Sequence, residues 1–148
     1  MAEWGRAWHH PRPMPIIDHI TLVVSDYERA KAFYTKALAP LGIELIMEYG
    51  KGCGFGRGKK PVFWIGQGPT SYHREEHLRV ITPVHVAFAA ADKAQVEAFY
   101  KTALEAGAKD FGAPGPRPEY HPNYFGAFVL DPDGHDIEAV FHGAPAAK

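Results

Sequence analysis

Two stretches of the chain superimpose on each other without a gap. DHITLVVSDYERAKAFYTKAL, beginning at Asp18, lies over VHVAFAAADKAQVEAFYKTAL, beginning at Val84. His19 falls on His85, Asp26 on Asp92, the triplet Ala32-Phe33-Tyr34 on Ala98-Phe99-Tyr100, and Ala37-Leu38 on Ala103-Leu104, always 66 residues apart. A single offset held through so many positions marks an internal repeat, so the fold is built from two similar units. With 148 residues in all, the units are too small for two separate conventional cores and belong to one domain.

Each copy reads as a strand followed by a helix. In the first, residues 17–24 are rich in β-branched residues, and Ser25-x-x-Glu28 has the form of a capping box. Ala30, Phe33, Tyr34, Ala37 and Leu38 then recur at helical spacing, and Pro40 with Gly42 ends the run. The second copy predicts a strand over 86–90, Asp92 as N-cap, a buried stripe of Val96, Phe99, Tyr100, Ala103 and Leu104, and Gly107 as terminator. Further strands are expected over 44–49, 54–57 and 62–65, and over 125–130 and 136–141, the last two joined by a D-P-D-G turn. Residues 111–123, FGAPGPRPEYHPN, carry four prolines and predict a stiff loop without regular structure. The plan is α+β: βαβββ twice, with module one at 16–68, a linker at 69–82 and module two at 83–142. Residues 1–15 lack the apolar core of a secretory signal and read as a flexible arm, in which His9 and His10 are an incidental pair; residues 143–148 read as a tail.

Composition narrows the function classes. Sixteen Lys and Arg against seventeen Asp and Glu give a net charge of -1, so there is no positive field to attract nucleic acid. One cysteine, Cys53, allows no internal disulfide and no CxxC zinc knuckle, which points to a reduced, cytoplasmic setting. Cys53 lies among glycines without an adjacent base and reads as inert. No apolar run approaches the ~20 residues of a membrane span, so no membrane partner is expected.

Alternation along the strands indicates where chemistry belongs. His19, Thr21 and Val23 share one face of the first strand, opposite Ile20, Leu22 and Val24, which must cover the helix. His85, Ala87 and Ala89 occupy the same position in the repeat, opposite Val86 and Phe88. On the last strand Glu138 sits mid-strand and points away from Ile137, Ala139 and Phe141, where an unpaired charge is costly. Two histidines at equivalent positions and one such carboxylate suggest a divalent metal site for iron, manganese, nickel or zinc. Trp64, Phe55, Tyr120 and Phe125 offer flat apolar walls for an organic ligand, and Arg117 a contact for an anionic group.

The βαβββ repeat, the histidine opening each module, the AFY helix and the ending FVLDPDGHDIEAVFH resemble the vicinal oxygen chelate superfamily. Its members include glyoxalase I, extradiol dioxygenases, fosfomycin-resistance proteins and bleomycin-binding proteins. The resemblance spans residues 16–142 and implies two sheets forming a curved, partly open mixed β-barrel, helices outside, around a metal. Each module of such a fold supplies one ligand from its first strand and one from its last. His19, His85 and Glu138 match three of these positions. Aligning FWI with IEA places Trp64 at the fourth, which departs from the four-ligand glyoxalase I pattern, since tryptophan cannot ligate a metal. Gln67 is the only oxygen donor nearby, and a register shift of three residues would reverse its face. Two histidines and one carboxylate instead match the facial triad of the extradiol dioxygenases. Those relatives also use a histidine and a tyrosine beside the metal, for which His121 and Tyr124 are the candidates by type. The implied function is a metal-dependent dioxygenase, lyase or isomerase acting on a small organic substrate with vicinal oxygens; the alternative is a metal-free drug- or antibiotic-binding protein of the bleomycin-resistance type. Relatives commonly form homodimers, some by exchanging modules so that the metal lies between chains.

Overall fold

The computed structural model describes residues 16–68, 76 and 83–143. The expected N-terminal arm with His9 and His10, most of the linker, and residues 144–148 lie outside the described residues. Module one runs β1 (Ile20–Val23), α1 (Tyr27–Ala37), a 3₁₀ turn (Ala39–Leu41), β2 (Glu44–Tyr49), β3 (Gly52–Gly56) and β4 (Phe63–Gly66). Module two runs β5 (His85–Ala89), α2 (Lys93–Glu105), β6 (Lys109–Pro116), β7 (Phe125–Leu130) and β8 (Asp136–Phe141). The sheets have the equivalent orders β1-β4-β3-β2 and β5-β8-β7-β6. β1/β4 and β5/β8 are parallel and the other pairs antiparallel. The architecture is therefore α+β with two mixed four-stranded sheets and no closed barrel. No helix among the described residues is long and apolar enough to cross a membrane.

The helical stripes bury as the spacing requires except that Tyr100 and Leu104, expected in the buried stripe of α2, are only partly buried at the edge of the core. Ala30, Phe33, Tyr34 and Ala37 of α1 and Val96, Phe99 and Ala103 of α2 are all buried against the sheets. Asp92 caps α2 by accepting from the Gln95 amide at 2.8 Å. The capping-box reading of the first helix is corrected by one residue: Asp26, not Ser25, is the N-cap and accepts from the Arg29 amide at 3.1 Å. The expected loop over 111–123 is also corrected, because residues 109–116 form β6. Two irregularities in its pairing with β7 absorb the prolines and glycines, and β6 lies at the sheet edge, where proline is tolerated.

The D-P-D-G-H-D run joins the modules. Asp131 is 4% exposed and accepts from the Tyr34 hydroxyl of α1 at 2.5 Å. His135 is buried, with Nδ1 accepting from the Val84 amide at 3.1 Å and Nε2 3.1 Å from the Val23 carbonyl of β1. The Asp133 carboxylate accepts from the Ser25 amide. Phe63 of one sheet meets Phe88 of the other edge-to-face at 5.0 Å, so a single apolar core runs through both modules.

Candidate functional site

Strand pairing sets the equivalence of the two sheets. Thr21 lies opposite Trp64 and Ala87 opposite Glu138, and Thr21 and Ala87 are repeat mates. Trp64 thus occupies in module one the position of Glu138 in module two. Glu138 is 1% exposed although it is a carboxylate in mid-strand. Its Oε2 lies 3.0 Å from His85 Nε2, and its Oε1 accepts a hydrogen bond from the Tyr124 hydroxyl. A β-carbon at Gly126 would come within 3.0 Å of that oxygen and 3.1 Å of the Tyr124 ring, so the glycine makes room for the contact. Burial and the Glu138 carboxylate hold the Tyr124 phenol well above its ordinary range, keeping it a donor.

The other face of the His85 imidazole is also engaged. Nδ1 lies 3.0 Å from Asp136 Oδ2 and 3.2 Å from the Asp136 carbonyl. Burial pushes the Asp136 carboxyl above its usual range, against the pull of His85, and its Oδ1 is buried without a hydrogen-bond partner. An imidazole with carboxylates at both nitrogens satisfies them as imidazolium, or as the Nδ1–H tautomer with a cation between Nε2 and Glu138. The 3.0 Å spacing is that of an ordinary hydrogen-bonded ion pair and is also compatible with two ligands of one ion. Two ligands at about 2.1 Å from one ion sit about 3 Å apart in octahedral and about 3.4 Å apart in tetrahedral geometry.

His19 is placed elsewhere. It is exposed, with Nδ1 2.8 Å from Asp18 Oδ1, and Asp18 also pairs with Lys60. This carboxylate likewise occupies Nδ1 and leaves Nε2 outward. Among the described residues of one chain, no three His, Cys, Asp or Glu side chains gather into a metal-holding group. Gln67 is committed: its Oε1 accepts from the Tyr27 amide at 2.8 Å, at the start of α1. Trp64 is half-buried, its indole lying where a Gly54 side chain would be, 2.8 Å from the position of that β-carbon. Phe55 stands on the opposite face from Trp64, fully buried and packed on Tyr34 and Phe63 in the core. Phe125 is half-buried beside Lys93, whose ammonium lies 5.2 Å from its ring centre.

Around Tyr124 the structure collects a cluster that the sequence did not join. His121 and Tyr120 pack edge-on against the Tyr124 ring, at 5.3 and 4.9 Å. His121 Nδ1 accepts from the Asn123 amide, and its Nε2 lies 2.8 Å from Nδ1 of His142, a residue the sequence reading left out. Phe128, likewise unassigned, lies opposite Glu138 on β7 and stacks on His85 at 6.1 Å. Arg117 lies over the Phe128 ring, 5.5 Å from its centre. The signal for Phe128 was its register on the strand next to Glu138; for His142 it was only proximity to the end of β8.

The family model of the glyoxalase/bleomycin resistance protein/dioxygenase superfamily matches residues 16–139. The chain belongs to this superfamily. A solved glyoxalase/bleomycin resistance protein from Albidiferax ferrireducens T118 is similar at 25% identity with a TM-score of 0.70, covering 85% of this chain and 98% of that one. A glyoxalase/bleomycin resistance protein/dioxygenase family enzyme from Burkholderia phytofirmans PsJN shares the fold at 17% identity and a TM-score of 0.65, over 85% and 98% of the two chains. A glyoxalase-related enzyme from Fulvimarina pelagi does so at 18% and 0.64, over 86% and 88%. No curated protein sequence matches.

Proposed function

We propose that this superfamily member is a divalent-metal-dependent enzyme of the glyoxalase/dioxygenase type, acting on a small organic substrate that presents two vicinal oxygens. The observation that carries the reading is the buried Glu138 carboxylate held 3.0 Å from His85 Nε2. Asp136 keeps the proton on His85 Nδ1, and Tyr124 takes one Glu138 oxygen so that the other faces the imidazole. Iron, manganese, nickel or zinc bound there supplies Lewis acidity to the substrate oxygens and stabilises an enolate- or catecholate-like anion. Phe128, stacked on His85, walls the site and keeps water from it. Tyr124 and His121 are the groups that hold and move protons beside it. His19 of a second copy completes the ligand set, in a homodimer that exchanges modules.

Trp64 in the fourth ligand position also suits a metal-free protein that binds a flat organic compound. Metal content separates the two readings. Protein purified without an affinity tag and reconstituted with each of the four ions retains close to one ion per site. Glu138→Gln and His85→Ala lower the affinity by about 100-fold or more, beyond the 10- to 100-fold typical of outer-shell partners. Equally low metal content in wild type and both variants defeats the enzyme reading and leaves the binding protein.

A further inference from the structure

Arg117 follows the edge strand β6, and its amide donates to the Tyr124 carbonyl at 2.9 Å, so it is tied to the same segment that positions the Glu138 partner. Its guanidinium folds back along β6. Nη2 donates to the Ala113 carbonyl at 2.7 Å and Nη1 to the Pro116 carbonyl at 3.2 Å. A β-carbon at Gly112 would stand 3.3 Å from Nη2, and one at Gly115 3.2 Å from Nη1. Two glycines thus leave a track that the guanidinium fills. Its other face lies on Phe128, which is stacked on His85 with 24° between the ring planes.

Both His85 and Arg117 contact the Phe128 ring, so the guanidinium is held at a fixed place close to the proposed ligands. The two carbonyls use two of the five guanidinium N–H groups. Among the described residues no carboxylate forms an ion pair with Arg117. A merely solvated loop arginine needs neither a glycine track nor a stacking ring. Immobilisation before binding removes most of the side-chain entropy that an arginine ordinarily loses when it captures an anion.

The geometry points to Arg117 as the anion-recognition residue of this site, so that the substrate is a planar monocarboxylate. Its charged end meets the free guanidinium N–H groups, and its vicinal oxygens face His85 and Glu138. One fixed guanidinium with two donors already used matches a single carboxylate. The inference rests on the metal-chelate reading for the second half of the substrate, whereas the carboxylate contact belongs to Arg117 alone.

The probes are 3,4-dihydroxybenzoate and its methyl ester, titrated calorimetrically into zinc-loaded and metal-free full-length protein, wild type and Arg117→Gln. The acid binds wild type at least about tenfold more tightly than the ester at low salt, and the ratio narrows as salt rises. Arg117→Gln brings the ratio to within about twofold while ester affinity stays within about threefold of wild type, which reports an intact site. Equal binding of acid and ester by wild type overturns the inference without need of any variant, and so does an undiminished ratio in Arg117→Gln. Dependence of both affinities on zinc reports the chelate reading separately; a ratio that persists in metal-free protein with no gain from zinc keeps the Arg117 assignment and removes the chelate. Failure of both compounds to bind wild type in either state overturns both.

Discussion

Glu138 and Cys53 are both buried polar side chains in strands, and the surroundings separate them. Glu138 has a tyrosine hydroxyl on one oxygen and an imidazole on the other, the arrangement that makes a buried carboxylate tolerable. Cys53 is fully buried, and burial pushes its thiol up to about 11. At pH 7 the thiolate is on the order of one part in ten thousand. Ellman's reagent therefore leaves native protein unmodified at pH 7–8 and titrates one thiol in denaturant; rapid labelling of the native protein would contradict the burial of β3. Glu138 and His85 were legible in the sequence because the repeat and the two-residue alternation of a strand place them on one face. Phe55 packs beside Phe63 in the core, a placement the sequence left open because GCGFG carries no alternation of large and polar groups to orient it. Phe128 and His142 join the site through strand register and loop closure, which no local pattern records.

At the scale of elements, the two helices begin alike. Asp26 and Asp92 are repeat mates, and each carboxylate accepts from the amide three residues on. Ser25 precedes the first cap and contributes only its amide, which donates to Asp133. Asp26→Ala and Asp92→Ala each cost about 1 kcal/mol in chemical denaturation, whereas Ser25→Ala stays within about 0.5 kcal/mol. A larger loss in Ser25→Ala than in Asp26→Ala would restore the capping-box reading. The helices and β7 and β8 were readable because a stripe or an alternation, followed by a glycine or a D-P-D-G turn, bounds each of them; Gly134 of that turn has a φ of +87°, which glycine alone adopts freely. β6 was not readable. Its Pro114 and Pro116 signal a loop in isolation, and only a position at the sheet edge makes them compatible with a strand.

In the whole molecule, the run that carried the family resemblance most specifically, D-P-D-G-H-D, is spent on assembly: it fastens β8 to β1 and α1 through Asp131, Asp133 and His135. This clip holds the modules by their helical sides and leaves His19 with Asp18, apart from the pair of His85 and Glu138. If the metal site is completed by exchange, His19 meets Glu138 only across two chains. Mixing His19→Ala chains with Glu138→Ala chains tests this directly. In an exchanged heterodimer one site combines both lesions, and the other combines an intact His19 with an intact Glu138. Random re-association of a 1:1 mixture makes half of the dimers mixed, so about a quarter of the wild-type metal capacity returns, although neither parent holds any. Without exchange each site in the mixture carries one lesion and capacity stays at zero. The recovered quarter should be measured after denaturation and joint refolding, with separately refolded and then mixed parents as the control, because preformed dimers that do not reassort recover nothing in either arrangement.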